Sequence, residues 1–240
     1  MRARTYLLGF ALALCALLRL TTLADVIVVQ GPARFPAGGV SYLLSEGFEG
    51  TGYENTWSES GSTIDEDYTS TVLVGSQSLR ISTTTTATTV STLGASYSTL
   101  EAYFQLRTAT LYGSGQSLIQ FLNSSNTVVL NCLFNSGGAL VLRAAGSNPQ
   151  QTTSDTMSTG TTYHVWIRYV AGTGSNAFAS AEFSSTGTRA GSGTKYASIS
   201  TGNATTDANK IRFGPASSVT NSDIVIDRVL VLNGSIGSNP

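Results

Sequence analysis

His164 is the single histidine of the chain, and that restricts the chemistry at once. A Ser-His-Asp triad would have to use it, yet no Gly-x-Ser-x-Gly elbow occurs. A zinc centre needs several His or Cys ligands, and Cys132 is the only cysteine beyond the N-terminal leader. Two carboxylates flanking a scissile bond would suit a glycosidase, and Glu101 and Glu182 are the acids in mid-chain strand-like segments. Strand alternation puts Tyr103, Gln105 and Arg107 on one face and Ala102, Phe104 and Leu106 on the other. The same split separates His164, Trp166 and Arg168 from Tyr163, Val165, Ile167 and Tyr169, and Glu182 from Ala181 and Phe183. If these strands are neighbours, Tyr103, Gln105, Arg107, Gln120, Asn131, His164, Trp166, Arg168 and Glu182 line one surface. Such a surface suits a sugar: an aromatic ring stacks on the apolar C–H face while amides, Arg and carboxylate bond the hydroxyls. The alternative is a Trp166 that belongs to the core and a polar set that is an ordinary wet sheet face.

The elements that must position these residues are strands. Segments of period-two alternation follow one another from Leu43–Phe48 through Ser78–Thr83, Leu100–Thr108, Ser117–Leu122, Thr127–Phe134 and Ala139–Arg143. They continue through Thr162–Val170, Ala177–Phe183, Tyr196–Ser200, Lys210–Phe213 and Asp223–Leu232. Asn123-Ser124-Ser125-Asn126, Asn135-Ser136-Gly137-Gly138 and Gly172-Thr173-Gly174 read as turns between them. The Thr-rich stretch 82–92 suits a half-exposed strand or a loop, and Asp65-Glu66-Asp67 reads as a solvated acidic turn. No stretch beyond the leader holds helical spacing for three turns, so the chain is predicted to be all-β, an antiparallel two-sheet β-sandwich over residues 42–232. Residues 25–41 form an extended lead-in and 233–240 a C-terminal tail.

Several stretches together resemble the concanavalin A-like lectin/glucanase superfamily, in particular laminin-G-like jelly rolls of bacterial and phage surface proteins. They are Glu46-Gly47-Phe48-Glu49-Gly50 followed by Trp57, Gly75-Ser76-Gln77-Ser78-Leu79-Arg80-Ile81, Ala102-Tyr103-Phe104-Gln105, Tyr163 to Tyr169, and Ile226-Asp227-Arg228-Val229-Leu230-Val231. The resemblance implies a jelly roll with one sheet curved into a concave, sugar-binding surface. It also implies a structural Ca²⁺ on the convex side, held by positions matching Glu49, Gly75 and Asp227, whose hard oxygen donors suit that ion. The alternative for Asp227 is a pairing with Arg80 or Arg228. The Glu-x-Asp-x-x-Glu motif of hydrolases in this superfamily is absent, as are the basic and aromatic motifs of its polysaccharide lyases.

The N-terminus reads as a cleaved signal peptide: arginines at 2 and 4, an apolar run from Leu7 to Leu18, and small residues up to Ala24. The apolar run falls short of the roughly 20 residues that span a bilayer, so no membrane insertion is expected after cleavage. Cys15 could serve a lipoprotein, but Leu14 before it is bulky. With Cys132 then alone, no internal disulfide forms, and the thiol is expected to act as a small buried hydrophobe. A net charge of −1 with 11% charged residues argues against nucleic acid, which requires a basic stripe to neutralise phosphates. The asparagines at 123, 203 and 233 match the glycosylation pattern by chance composition. The combined reading is a secreted, non-catalytic module binding carbohydrate or another cell-surface ligand, plausible for adhesion. The alternatives are a structural surface component of a virion or envelope, and a glycosidase using Glu101 and Glu182.

Overall fold

The computed structural model describes residues 41–50, 53–61, 63–111, 115–144, 150–200, 205–217, 219, 221–237 and 240. The leader with Cys15, the lead-in up to residue 40, and Asn203 lie outside the described residues. The strands are β1 (Leu44–Glu46), β2 (Trp57–Ser60), β3 (Ile64–Tyr68), β4 (Ser78–Thr83) and β5 (Thr88–Tyr97). They continue with β6 (Thr99–Thr110), β7 (Gln116–Leu122), β8 (Val128–Phe134), β9 (Leu140–Ala144) and β10 (Gln150–Thr152). The last are β11 (Thr162–Val170), β12 (Phe178–Ser184), β13 (Tyr196–Ser200), β14 (Ala208–Phe213) and β15 (Ser222–Leu232). A single 3-10 turn, Gly174–Asn176, is the only helical element among the described residues.

These strands build two antiparallel sheets. The first runs β13-β12-β11-β6-β15-β4-β3, with β1 added beside β15, and the second runs β10-β9-β8-β7-β14-β5-β2. Each sheet turns its β-branched, aliphatic and aromatic side chains toward the other. Phe104 of the first sheet meets Phe213 of the second edge-on at 5.0 Å between ring centres, and Tyr169 meets Phe121 at 6.4 Å. Each such buried side chain contributes roughly 1.5–3 kcal/mol of transfer free energy. Cys132 lies in this layer with no exposed surface, and burial pushes its thiol up to about 12, so it remains a protonated packing group.

The tight turns form as their residues dictate. In the β7–β8 hairpin the Asn123 carboxamide oxygen accepts from the backbone N–H groups of Ser125 and Thr127, and Asn126 takes a left-handed φ of 62°. In the β8–β9 hairpin Asn135 does the same for Gly137 and Ala139.

One reading of the sequence is narrowed to its strand alternative and one changes. The Thr-rich stretch enters β5, whose Thr89, Ser91 and Leu93 point inward, so an inconspicuous hydroxyl pattern conceals a ten-residue strand. The acidic triplet is not a turn but part of β3, an edge strand in which Asp65 stands opposite Arg80. Charged side chains on an edge strand oppose pairing with another chain, a role that local sequence does not announce.

Candidate functional site

Tyr103, Gln105, Arg107, His164, Trp166, Arg168 and Glu182 share the outer face of the first sheet, because each alternates with residues of the core. Pairing registers arrange them in rows: Tyr196, Glu182, Trp166, Tyr103 and Leu230 in one, and Ser184, His164, Gln105 and Asp227 in the next. Arg168 stands between Ser180 and Glu101, while Arg107 stands between Thr162 and Val225. His164 is not isolated: its Nδ1 lies 2.8 Å from the Tyr103 hydroxyl. Burial, and then the Arg228 charge, pull the His164 pKa below its ordinary value.

The C-terminal tail lies across this face. Ile236 packs with Tyr103, Trp166, Leu230 and Leu232 in a small second core, leaving Tyr103 at 0% and Trp166 at 1% exposure. The Trp166 indole donates to the Gly237 carbonyl at 3.3 Å, and the Ile236 N–H donates to Glu101 at 2.8 Å. Arg189 completes the lock, pairing with Glu101 and Glu182, donating to the Ile236 carbonyl and lying 5.7 Å from the Trp166 ring centre. Burial raises the Glu101 pKa and the Arg189 charge opposes that shift. Trp166 is therefore a sealed ring rather than an open platform, and the two glutamates serve as anchors for one guanidinium. Arg189 sits in a segment without periodicity, so nothing local in the sequence marks its part in this network.

Beside the tail the face opens into a shallow cleft of ≈ 520 Å³, lined by Arg168, Phe178, Glu182, Tyr196, Ile236 and their neighbours. Two aromatic rings, the guanidiniums of Arg168 and Arg189 and a carboxylate converge there. The Arg168 Nε is buried with no hydrogen-bond partner among the described residues. Glu182 already accepts from Gly191 N at 2.7 Å, which fixes its carboxylate at the cleft wall.

The expectation of one common surface fails for Gln120 and Asn131. They lie on the outer face of the second sheet, paired with each other and next to Arg212 and Arg143. Alternation assigns each residue to a face of its own strand, but which sheet a strand joins depends on long-range pairing.

Glu49, Gly75 and Asp227 do converge. Gly75 has φ 72°, and a Cβ there would fall 1.5 Å from a Glu49 carboxylate oxygen, so the glycine allows the acid to close over the 75–76 backbone. Glu49 accepts from the Ser76 N–H at 3.0 Å and from its hydroxyl. Asp227 accepts from Val74 N at 2.9 Å, Ser78 Oγ at 2.8 Å and Arg228 N at 2.6 Å. Burial, together with the neighbouring Glu49 charge, lifts Asp227 to about 7 against its hydrogen bonds. Arg80 pairs instead with Asp223 at 2.8 Å. Among the described residues no three His, Cys, Asp or Glu side chains gather as metal ligands, so a cation would need backbone carbonyl oxygens beside these two carboxylates.

Comparison with known proteins gives the fold its relatives. No protein-family model matches the chain, and no curated protein does. Solved structures do match. The cellulose-induced protein Cip1 is 14% identical with a TM-score of 0.59, covering 82% of this chain and all (100%) of its own. An endo-β-1,4-glucuronan lyase from the fungus Trichoderma reesei is 12% identical (TM-score 0.54, 81% of this chain, 96% of its own). The marine PL-14 alginate lyase from Aplysia kurodai is 9% identical (TM-score 0.57, 81% and 100%). At such identities the likeness is one of fold: a two-sheet antiparallel jelly roll.

Proposed function

We propose that this chain is a secreted, non-catalytic jelly-roll module that binds carbohydrate, of the concanavalin A-like kind that its motifs resemble, and that it serves adhesion at a cell surface. The observation that carries the reading is the cleft beside the tail, where the rings of Phe178 and Tyr196 line the wall beside the Arg168 guanidinium, whose Nε has no hydrogen-bond partner among the described residues. The structural neighbours include a cellulose-induced protein and lyases of glucuronan and alginate, which supports a carbohydrate ligand. The sealing of both glutamates by Arg189 favours binding over hydrolysis.

The reading includes a structural Ca²⁺. Asp227 and Glu49 would hold it with a carbonyl from the Gly75 turn, and the ion would offset the repulsion between these neighbouring acids. Its effect would be to tie the β1 end of the chain to β15. A structural surface component remains the second reading, favoured by the tail that closes over Tyr103 and Trp166.

A glycan array probed with the secreted chain, with millimolar Ca²⁺ and with chelator, tests the proposal. Binding to a defined glycan class, lost in Arg168→Ala and Phe178→Ala variants that melt normally, is the expected result. Silence across the array, combined with an ordered oligomer in solution, would transfer the case to the structural reading.

A further inference from the structure

The outer face of the second sheet carries a line of polar side chains that the cleft does not use. Arg212 stands opposite Gln120, Gln120 opposite Asn131, Asn131 opposite Arg143, and Arg143 opposite Gln150. Arg212, Gln120, Asn131 and Arg143 each lie between two core residues of their own strand, so their side chains leave the sheet on the same, outward side. At about 4.8 Å per strand the line from Arg212 to Arg143 runs about 14 Å across the sheet.

The charges on this sheet are one-sided. Its strands bear Arg143, Lys210 and Arg212, and their only acid is Glu59 on the edge strand β2, which accepts from the Tyr53 hydroxyl. Among the described residues no carboxylate pairs with Arg212; the nitrogens Nε and Nη2 both turn to the Gln120 oxygen. Among the described residues Arg143 donates to Gln150, and Lys210 reaches the Ser124 carbonyl and Asn126. Between the two arginines the Asn131 carboxamide oxygen is buried with no hydrogen-bond partner. Two guanidiniums without a carboxylate partner among the described residues, flanking the amides of Gln120 and Asn131, present charged donors that suit an anion.

We infer that this row is a second binding site, for an extended acidic polysaccharide, with the guanidiniums of Arg212 and Arg143 taking its carboxylate or sulfate groups and Gln120 and Asn131 its hydroxyls. The ligand crosses the strands along the row rather than entering a pocket. A nucleic acid fits less well. Trp57, Tyr97, Phe121, Phe134 and Phe213, the rings of this sheet, all belong to or pack on the core, so none is left outside for bases to stack on. The site lies on the opposite sheet from the cleft of the proposed function and stands or falls separately.

The test is interferometry of the full chain on immobilised alginate, dextran sulfate, uncharged dextran and double-stranded DNA, at low and at physiological salt. Binding to alginate or dextran sulfate, weakening with salt and absent on dextran, is expected, and the stronger of the two names the acidic group. Arg212 is half-buried against Gln120 and its loss could disturb the sheet. The informative variants are therefore the exposed Arg143→Gln and Asn131→Asp, which introduces a negative charge, each expected to weaken binding about tenfold or more. Arg168→Ala in the cleft should leave this binding unchanged. Absence of binding to both polyanions, binding that survives in Arg143→Gln and Asn131→Asp, or DNA bound as tightly as the polysaccharides would each overturn the inference.

Discussion

The indole N–H of Trp166 points at the carbonyl of Gly237, 71 residues later in the chain, across 3.3 Å. That contact joins the middle strand of the outer face to the end of the chain and closes the surface the aromatic ring would otherwise present. Arg189 is the clasp. It answers two carboxylates, and Glu101 among them has no exposed surface. Removing one partner of a buried pair leaves an uncompensated charge. Arg189→Met should therefore cost about 3–5 kcal/mol in denaturant unfolding. Adding Glu101→Gln to it should recover part of that loss, and Ile236→Ala should move Trp166 emission to the red. Unchanged stability in Arg189→Met would mean the clasp is solvated and ineffective.

His164 supplies a pH dependence. Its folded pKa lies below the unfolded value near 6.5, through burial first and the Arg228 charge second. Below that unfolded value the unfolded chain binds the proton more readily than the folded one, so stability falls as pH drops. In the protonated ring Nδ1, 2.8 Å from the Tyr103 hydroxyl, can only donate to it. Melting curves between pH 5 and 8 should show a loss on the acid side that is reduced in His164→Gln. A variant with the same acid slope as the parent would remove His164 as its source.

Calcium should raise the melting temperature. For an ion bound only by the folded chain, a concentration one hundred times Kd stabilises by about 2.7 kcal/mol. The gain is expected to vanish with chelator and in Asp227→Asn, and to shrink in Gly75→Ala, whose methyl would displace the Glu49 carboxylate. Equal melting with calcium and with chelator would discard the site.

Glu46 holds the 47–57 loop from the inside. Its carboxylate, without exposed surface, accepts from the backbone N–H groups of Phe48, Glu54 and Asn55, the Asn55 side chain and the Trp57 indole. Glu46→Ala would strand several of these donors at about 1–3 kcal/mol each where water cannot replace the acceptor. Faster amide exchange at Phe48, Glu54 and Asn55, with β6 and β11 still protected, is the expected pattern.

Much of the fold was legible because it is local. Alternation located β6, β11, β12 and β15 nearly to the residue, and the Asn-led turns marked two hairpins. β5 and β3 were obscured: Thr and Ser alternate weakly, and an acidic triplet resembles a solvated turn until Arg80 stands opposite Asp65. The row of Tyr103, Trp166 and Glu182 was recovered on one face because parity survives wherever strands pair in register.

By itself the sequence determined the all-β class, the faces of the central strands and the burial of the Cys132 thiol, since each depends on residue type and spacing within a few positions. Tertiary structure alone decided that Gln120 and Asn131 belong to the other sheet, that Arg212 and Arg143 join them, and that the tail and Arg189 close over Trp166. Those outcomes rest on contacts between segments far apart in the chain. Such contacts are selected by the packing of two whole sheets, and no short-range periodicity records them.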